Sequence, residues 1–287
     1  MVLTEKAYAK VNLYLDVVGK RSDGFHDIET LMHTVTLSDD LVFEVTDSAS
    51  FSVELKIEGN DTLKADDSNL VIRAVKEFTA LSPIRAKLSI LLRKNIPTEA
   101  GLGGGSADAA ATLRALNRIT KAPLSEEEMY KLAEKLGSDV PFCLKGGYSL
   151  CCGRGEKITS LPPVQNLHLV IVNSGESVST PEAFKLLDQS YDDFSSPALK
   201  KGKNDFITSI SKGEVDSLYN IFEDVILPQC KRANMAKKEL MTLGAKNVLM
   251  SGSGPTVFGV FDSAESAEIA FEKIKNKFDT VIISRFK

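Results

Sequence analysis

The sequence predicts two α/β domains, with the division after residue 155 (1–155 and 156–287). Three observations predict this. The first half carries short alternating segments that read as strands, interspersed with amphipathic helical stretches. A glycine-rich stretch there joins a strand directly to a helix. The second half runs strand, helical material, two strands, helix, strand, which is the split βαβ order of a ferredoxin-like domain.

From Ala7 to Val17, Val11, Leu13, Leu15 and Val17 alternate with Lys10, Asn12, Tyr14 and Asp16. The spacing predicts a half-buried strand with Lys10 and Asn12 on its polar face. Gly19 to Asp27 reads as a loop. Leu41–Val45 and Phe51–Ile57 read as paired strands. Ser68 is placed to cap a helix whose inner stripe is Val71, Ala74, Val75 and Phe78. Ala86–Leu92 is a strand, and Ser106 opens a helix to about Asn117. Ser125 and Glu128 form a capping box for a helix that buries Met129, Leu132, Ala133 and Leu136 and stops at Gly137. Pro141 marks a new helix start.

In the second half, Leu167–Asn173 is a strand, a helix starts at Thr180, and 188–204 reads as a polar loop. Helices over Ile221–Leu227 and Ala233–Leu243 precede strands at Val248–Ser251 and Thr256–Phe261. A helix at Ala264–Lys277 and a strand at Val281–Ser284 close the chain.

The chain has 287 residues, 43% of them hydrophobic and 26% charged, which are ordinary globular values. A net charge of -4 and the lack of any basic block argue against a nucleic-acid partner. No apolar run of about 18 residues suggests a membrane span. The N-terminus lacks an apolar signal core, so a cytoplasmic protein is expected. Cys143, Cys151, Cys152 and Cys230 form no CxxC pair and read as buried thiols of a reducing compartment. Three histidines are too scattered for a metal cage.

The stretch PTEAGLGGGSADAAATL (Pro97–Leu113) carries the chemistry. It lies between a strand and a helix, where free N–H groups and the helix dipole form an anion site. A tight turn needs only one or two glycines. Four in the five residues Gly101–Gly105 point to a phosphate approaching bare backbone. No lysine follows as in GxxxxGK[ST], and the dinucleotide pattern fails at Ser106.

These residues resemble the GHMP kinases, whose signature is a proline, a short spacer, GLGGGS and a small-residue helix. SGSGPTVFGVF (Ser251–Phe261) is similar to that family's C-terminal glycine motif. AKVNLYLDVVGKRSDGFHDIETL (Ala9–Leu31) and LGSDVPFCLKGG (Leu136–Gly147) resemble a member acting on a cytidine-diphosphate-linked sugar alcohol.

The resemblance implies a two-domain fold, with an N-terminal ribosomal-protein-like α/β domain and a C-terminal ferredoxin-like domain. It implies ATP as co-substrate and Mg2+ as its counter-ion, although no carboxylate cluster marks metal ligands. It assigns ATP to Lys94, Pro97, Thr98, Glu99, Ala100, Gly101, Leu102, Gly103, Gly104, Gly105, Ser106 and Ala107. The substrate falls to Asn12, Phe25, His26, Thr180, Pro181 and Phe184, with Phe25 and Phe184 sandwiching the cytosine. Phe25 stands where the family usually has tyrosine.

Lys10 and Asp139 become the catalytic pair. By position alone, Lys10 suits a solvated strand face and Asp139 suits a helix N-cap. Asp108 reads as a solvated first-turn carboxylate, and Glu99 should point outward. The rival readings are a homoserine- or mevalonate-type GHMP kinase, or a non-catalytic protein that binds a phosphate ligand.

Overall fold

The computed structural model describes residues 1–162, 164, 167–191, 194, 203–212, 214, 215 and 217–287. The chain forms two compact units that interleave in sequence. The first is Met1–Ala9, Leu37–Ile96 and Gly103–Gly146; the second is Lys10–Thr36, Pro97–Leu102 and Gly147–Lys287. A single cut after residue 155 does not describe this division, because two long strands and the glycine loop each contribute to both units.

Those strands are β1 (Val2–Lys20) and β2 (His26–Asp47). The alternation in β1 is real, but the expected half-burial is not. Every residue from Ala9 to Leu15 is buried, so the polar row Lys10, Asn12 and Tyr14 is covered by protein rather than water. The expected loop from Gly19 to Asp27 shrinks to a turn between Lys20 and His26.

The first unit adds β3 (Ser52–Glu58), α1 (Leu70–Leu81), β4 (Ala86–Arg93), α2 (Gly104–Ile119), α3 (Glu126–Leu136) and α4 (Val140–Lys145). β4 pairs antiparallel with Asp40–Asp47 of β2 and parallel with β3. The two segments expected to pair directly are thus separated by β4. Ala86, Leu88, Ile90 and Leu92 of β4 are buried at every second position, which gives it one continuous apolar face. That face joins Phe43, Val75, Phe78, Leu113, Leu116 and Leu132 in one core.

Asn69, not Ser68, caps α1 by accepting from the Val71 N–H. Ser68 is occupied with Asp66 instead. The capping box at Ser125 and Glu128 forms as expected, as does the stop at Gly137.

The second unit contains β5 (Tyr148–Gly153), β6 (Lys157–Leu161), β7 (His168–Asn173), α5 (Thr180–Ser190), α6 (Lys203–Ser211), β8 (Tyr219–Asn220), α7 (Glu223–Ile226), α8 (Lys231–Thr242), β9 (Asn247–Met250), β10 (Val257–Phe261), α9 (Ala264–Ile274) and β11 (Thr280–Arg285). β5 pairs antiparallel with Ile28–His33 of β2 and with β6, and β8 lies parallel to Tyr14–Leu15 of β1. The four-stranded sheet runs β11-β7-β10-β9, all antiparallel. With its first strand inside and its second at the edge, this is the ferredoxin-like order. α5 runs on to Ser190 and α6 starts at Lys203, so the expected 188–204 loop is shorter at both ends. The rest of it, apart from Tyr191 and Phe194, lies outside the described residues.

Candidate active site

Pro97–Leu102 belongs to the second unit, where two glycine turns meet. The Ser251 hydroxyl donates to the Gly101 carbonyl at 2.9 Å, and the Lys10 N–H donates to the Leu102 carbonyl at 3.0 Å. A Cβ on Gly101 would lie 2.0 Å from the Ser251 carbonyl oxygen. Gly101 is therefore glycine because two backbones touch there, independently of any ligand. Pro97 is half-buried, Thr98 and Glu99 are exposed, and Ala100 and Leu102 are buried. Glu99 has a left-handed backbone, with φ of 51°.

In the first unit, Gly103 caps α2 with φ of 69° and no side-chain hydrogen bond. The helix opens at Gly104, ahead of the expected Ser106. Its first-turn N–H groups receive no acceptor from the cap side chain, which is the arrangement an anion needs. Gly105 is exposed, Ser106 half-buried and Ala107 buried.

Lys10 and Asn12 project side by side from β1. Lys10 Nζ donates to Asn12 Oδ1 at 2.7 Å, and Asn12 Nδ2 donates to Thr30 Oγ1 at 2.8 Å. Thr30 in turn donates to the Tyr14 carbonyl at 2.6 Å. This chain of donors orients the Asn12 amide with its oxygen toward the ammonium. Lys10 is 4% exposed, so the solvated reading fails.

The aromatic residues form a second group in the same unit. His26 stacks on Phe184 with ring centres 4.7 Å apart and planes 19° apart, and Phe184 meets Phe222 edge-on at 5.0 Å. Nε2 of His26 lies 2.7 Å from Asp188 Oδ1, and Lys20 Nζ lies 2.6 Å from the other oxygen. Burial pushes the Asp188 carboxyl up, but Lys20 and His26 outweigh it and hold it below its ordinary value.

Phe25 is 53% exposed, with the Arg154 guanidinium 5.0 Å from its ring centre. The ring contacts thus bring Phe184 to His26, not to Phe25. At the entry to β2, successive side chains leave on opposite sides. Thr180 and Pro181 open α5, and Thr180 Oγ1 shares a hydrogen bond with Ser253 Oγ at 3.1 Å.

Lys94 sits in the first unit, in a buried cluster. Nζ donates to Asp108 Oδ2 at 2.8 Å and also pairs with Asp39. Asp39 accepts the N–H groups of Asn95 and Ile96 at 2.5 and 2.8 Å. Asp108 is 3% exposed, which overturns its reading as a solvated carboxylate. Burial pushes Asp108 up to about 8; Lys94 pulls against this and Asp39 adds to it. Burial lowers Lys94, yet its two carboxylate neighbours leave it raised.

Asp139, also in the first unit, occupies the N-cap of α4. Its backbone is helical and its side chain makes no capping hydrogen bond. The carboxylate is thus not committed to the capping role that position alone suggested. Among the described residues no group of three or more His, Cys, Asp or Glu side chains could hold a metal ion. Among them, too, no helix is long and apolar enough to cross a membrane.

Asp39, Thr30, Arg154 and Asp188 were not legible as site residues. Only Asp188 carried a signal: it follows Phe184 by four residues, one helical turn.

Comparison with known proteins adds to this geometry. Residues 69–147 match the family model for the GHMP kinases N terminal domain, and residues 206–280 match the model for GHMP kinases C terminal. A 4-diphosphocytidyl-2-C-methyl-D-erythritol kinase of Clostridium botulinum (strain Eklund 17B / Type B) is 39% identical over 285 residues, 98% of each chain. The chain belongs to the GHMP kinase family.

A second relative of this GHMP kinase carries the same name, in Pelotomaculum thermopropionicum. It is 40% identical over 99% of this chain and 98% of its own. The crystal structure of a 4-(cytidine 5'-diphospho)-2C-methyl-D-erythritol kinase superimposes with a TM-score of 0.81 at 31% identity, covering 98% of both chains. The GHMP kinase motifs fall on the elements described above: Pro97–Ala107 on the loop and start of α2, and Ser251–Phe261 on the turn into β10.

Proposed function

We propose that this GHMP kinase transfers the γ-phosphoryl group of ATP to the C2 hydroxyl of 4-diphosphocytidyl-2-C-methyl-D-erythritol. The products are the 2-phosphate and ADP, in the cytoplasmic, non-mevalonate route to isoprenoid precursors. The observation that carries this reading is the full-length match to relatives of that name, at 39% identity over 98% of each chain.

In this reading Asp139 removes the hydroxyl proton as the oxygen attacks the γ-phosphorus. The bond from that phosphorus to the bridging oxygen breaks, and ADP leaves. Lys10 supplies positive charge against the charge that develops during transfer, and its desolvation in β1 strengthens that effect. Asn12 aligns Lys10 and faces the sugar alcohol. The uncapped start of α2 takes the phosphates through backbone N–H groups. Mg2+ bound with ATP would neutralise phosphate charge. His26, Phe184 and Phe25 offer flat faces and polar edges for the base.

The test is ADP release from Mg-ATP with the cytidine-diphosphate compound, mevalonate or homoserine as acceptor. Turnover is expected with the first alone. Turnover of either other acceptor without it would replace this reading with that kinase activity, and none with any would favour a binding protein.

A further inference from the structure

We propose that Asp188, clamped by Lys20, fixes the His26 ring in the form that accepts a hydrogen bond from a base amino group, and so makes the site prefer cytosine over uracil. This rests on the cytidine-substrate reading above.

The argument begins with what each partner can do. An ionised carboxylate only accepts hydrogen bonds. With Asp188 Oδ1 at 2.7 Å, His26 Nε2 must carry the proton. In a neutral ring that leaves Nδ1 with a lone pair. Among the described residues Nδ1 has no hydrogen-bond partner. The second Asp188 oxygen is held by Lys20 Nζ at 2.6 Å, so the carboxylate cannot rotate away without losing both contacts.

The ring is also immobilised. The His26 side chain is 5% exposed, stacked on Phe184 and met edge-on by Phe194 at 5.5 Å. Phe184 and Asp188 lie one turn apart on α5 and share a face. One helix therefore supplies both the surface that holds the ring flat and the group that sets its protonation. Turning the ring over would remove a nitrogen from Asp188.

The consequence is chemical selectivity. Cytosine presents an amino group at the ring position where uracil presents a carbonyl oxygen. A lone pair at Nδ1 bonds the first and repels the second. Asp188 touches neither base nor reacting atoms in this account; it is a positioning residue acting through His26.

The experiment uses the full-length chain, with 15N-labelled histidine and the variants Asp188→Ala, Asp188→Asn and Lys20→Ala. The chain has three histidines, so the ring signals can be assigned by substitution. At mildly alkaline pH the wild-type His26 spectrum should show one proton, on Nε2. Asp188→Ala should give mixed forms and raise KM for the cytidine compound about tenfold, with kcat and KM for ATP within about twofold. Its preference for the cytidine compound over the uridine analogue should fall about tenfold.

Asp188→Asn, whose amide oxygen still accepts, should recover most of the preference. Lys20→Ala, at a half-exposed lysine, should cost about two- to threefold and guards against a misfolded Asp188→Ala. A wild-type ring protonated on Nδ1, or unchanged KM and base preference in folded Asp188→Ala, overturns the proposal. The spectrum needs no substrate. An enzyme inactive on the cytidine compound therefore defeats the functional reading, while the ring signal still decides the role of Asp188.

Discussion

Replacing Asp108 with asparagine should flatten the loss of stability at alkaline pH. Asp108 is 3% exposed beside Lys94 and Asp39, and its carboxyl is pushed up to about 8. In the unfolded chain the group titrates near the ordinary value of about 4. The folded state therefore keeps a proton that the unfolded chain has lost across this interval. The site's contribution is fully present below the unfolded value and is lost as pH rises through the folded one. The slope is about 1.4 kcal/mol per pH unit for one proton. From pH 6 to pH 8 the loss is roughly 2 to 3 kcal/mol, with little more above that.

Asparagine has the same shape, cannot ionise, and offers an oxygen to the Lys94 ammonium. Relative to wild type, the variant should gain about 2 kcal/mol between pH 6 and pH 9. Urea unfolding of both proteins at pH 6, 7, 8 and 9 measures this. Parallel stability curves would refute the reasoning. They would mean that Asp108 is already ionised at pH 6, in which case asparagine should weaken the protein equally at every pH.

Two glycines of one loop should behave oppositely. Gly101→Ala drives a Cβ to 2.0 Å from the Ser251 carbonyl at a φ of +71° and should cost more than about 2 kcal/mol in thermal or urea unfolding. Gly105→Ala meets only Leu70 Cδ1 at 3.4 Å and should leave stability equal or up to about 1 kcal/mol higher, while raising KM for ATP. Equal damage at both positions would refute the backbone-contact account of Gly101. Asp139→Asn should lower kcat by about 10²- to 10⁴-fold with nucleotide affinity retained, and near-normal turnover would remove Asp139 from the base role. Phe184→Ala should raise KM for the cytidine compound about fivefold through lost stacking, leaving KM for ATP unchanged; the reverse pattern would place the base elsewhere.

Local rules read much of this chain correctly. The Ser125–Glu128 capping box, the β4 alternation and the inner stripe of α1 involve residues within one or two turns of each other, where spacing is the physics. The glycine stretch was legible as a strand-to-helix junction for the same reason. Pairing was less legible. Leu41–Val45 and Phe51–Ile57 both satisfy a strand pattern, and only a third strand competing for both shows that neither pairs with the other. Polarity alone does not end a helix: α5 runs on to Ser190, which keeps Asp188 one turn from Phe184.

What the sequence determined by itself is the local elements such as α1, α3 and β4, the glycine turns and the kinds of side chain available for phosphoryl transfer. What only the tertiary structure decided is their surroundings. Lys10 and Asp108 are charged residues in patterns that ordinarily face water, yet both are buried. Lys10 is held by a neutral amide; Asp108 is held by Lys94 and pushed toward its protonated form. Burial depends on segments distant in sequence, such as Asp39 beside Lys94 and Ser251 against Gly101. The free energy of a charge depends on that enclosure far more than on its immediate neighbours in the chain.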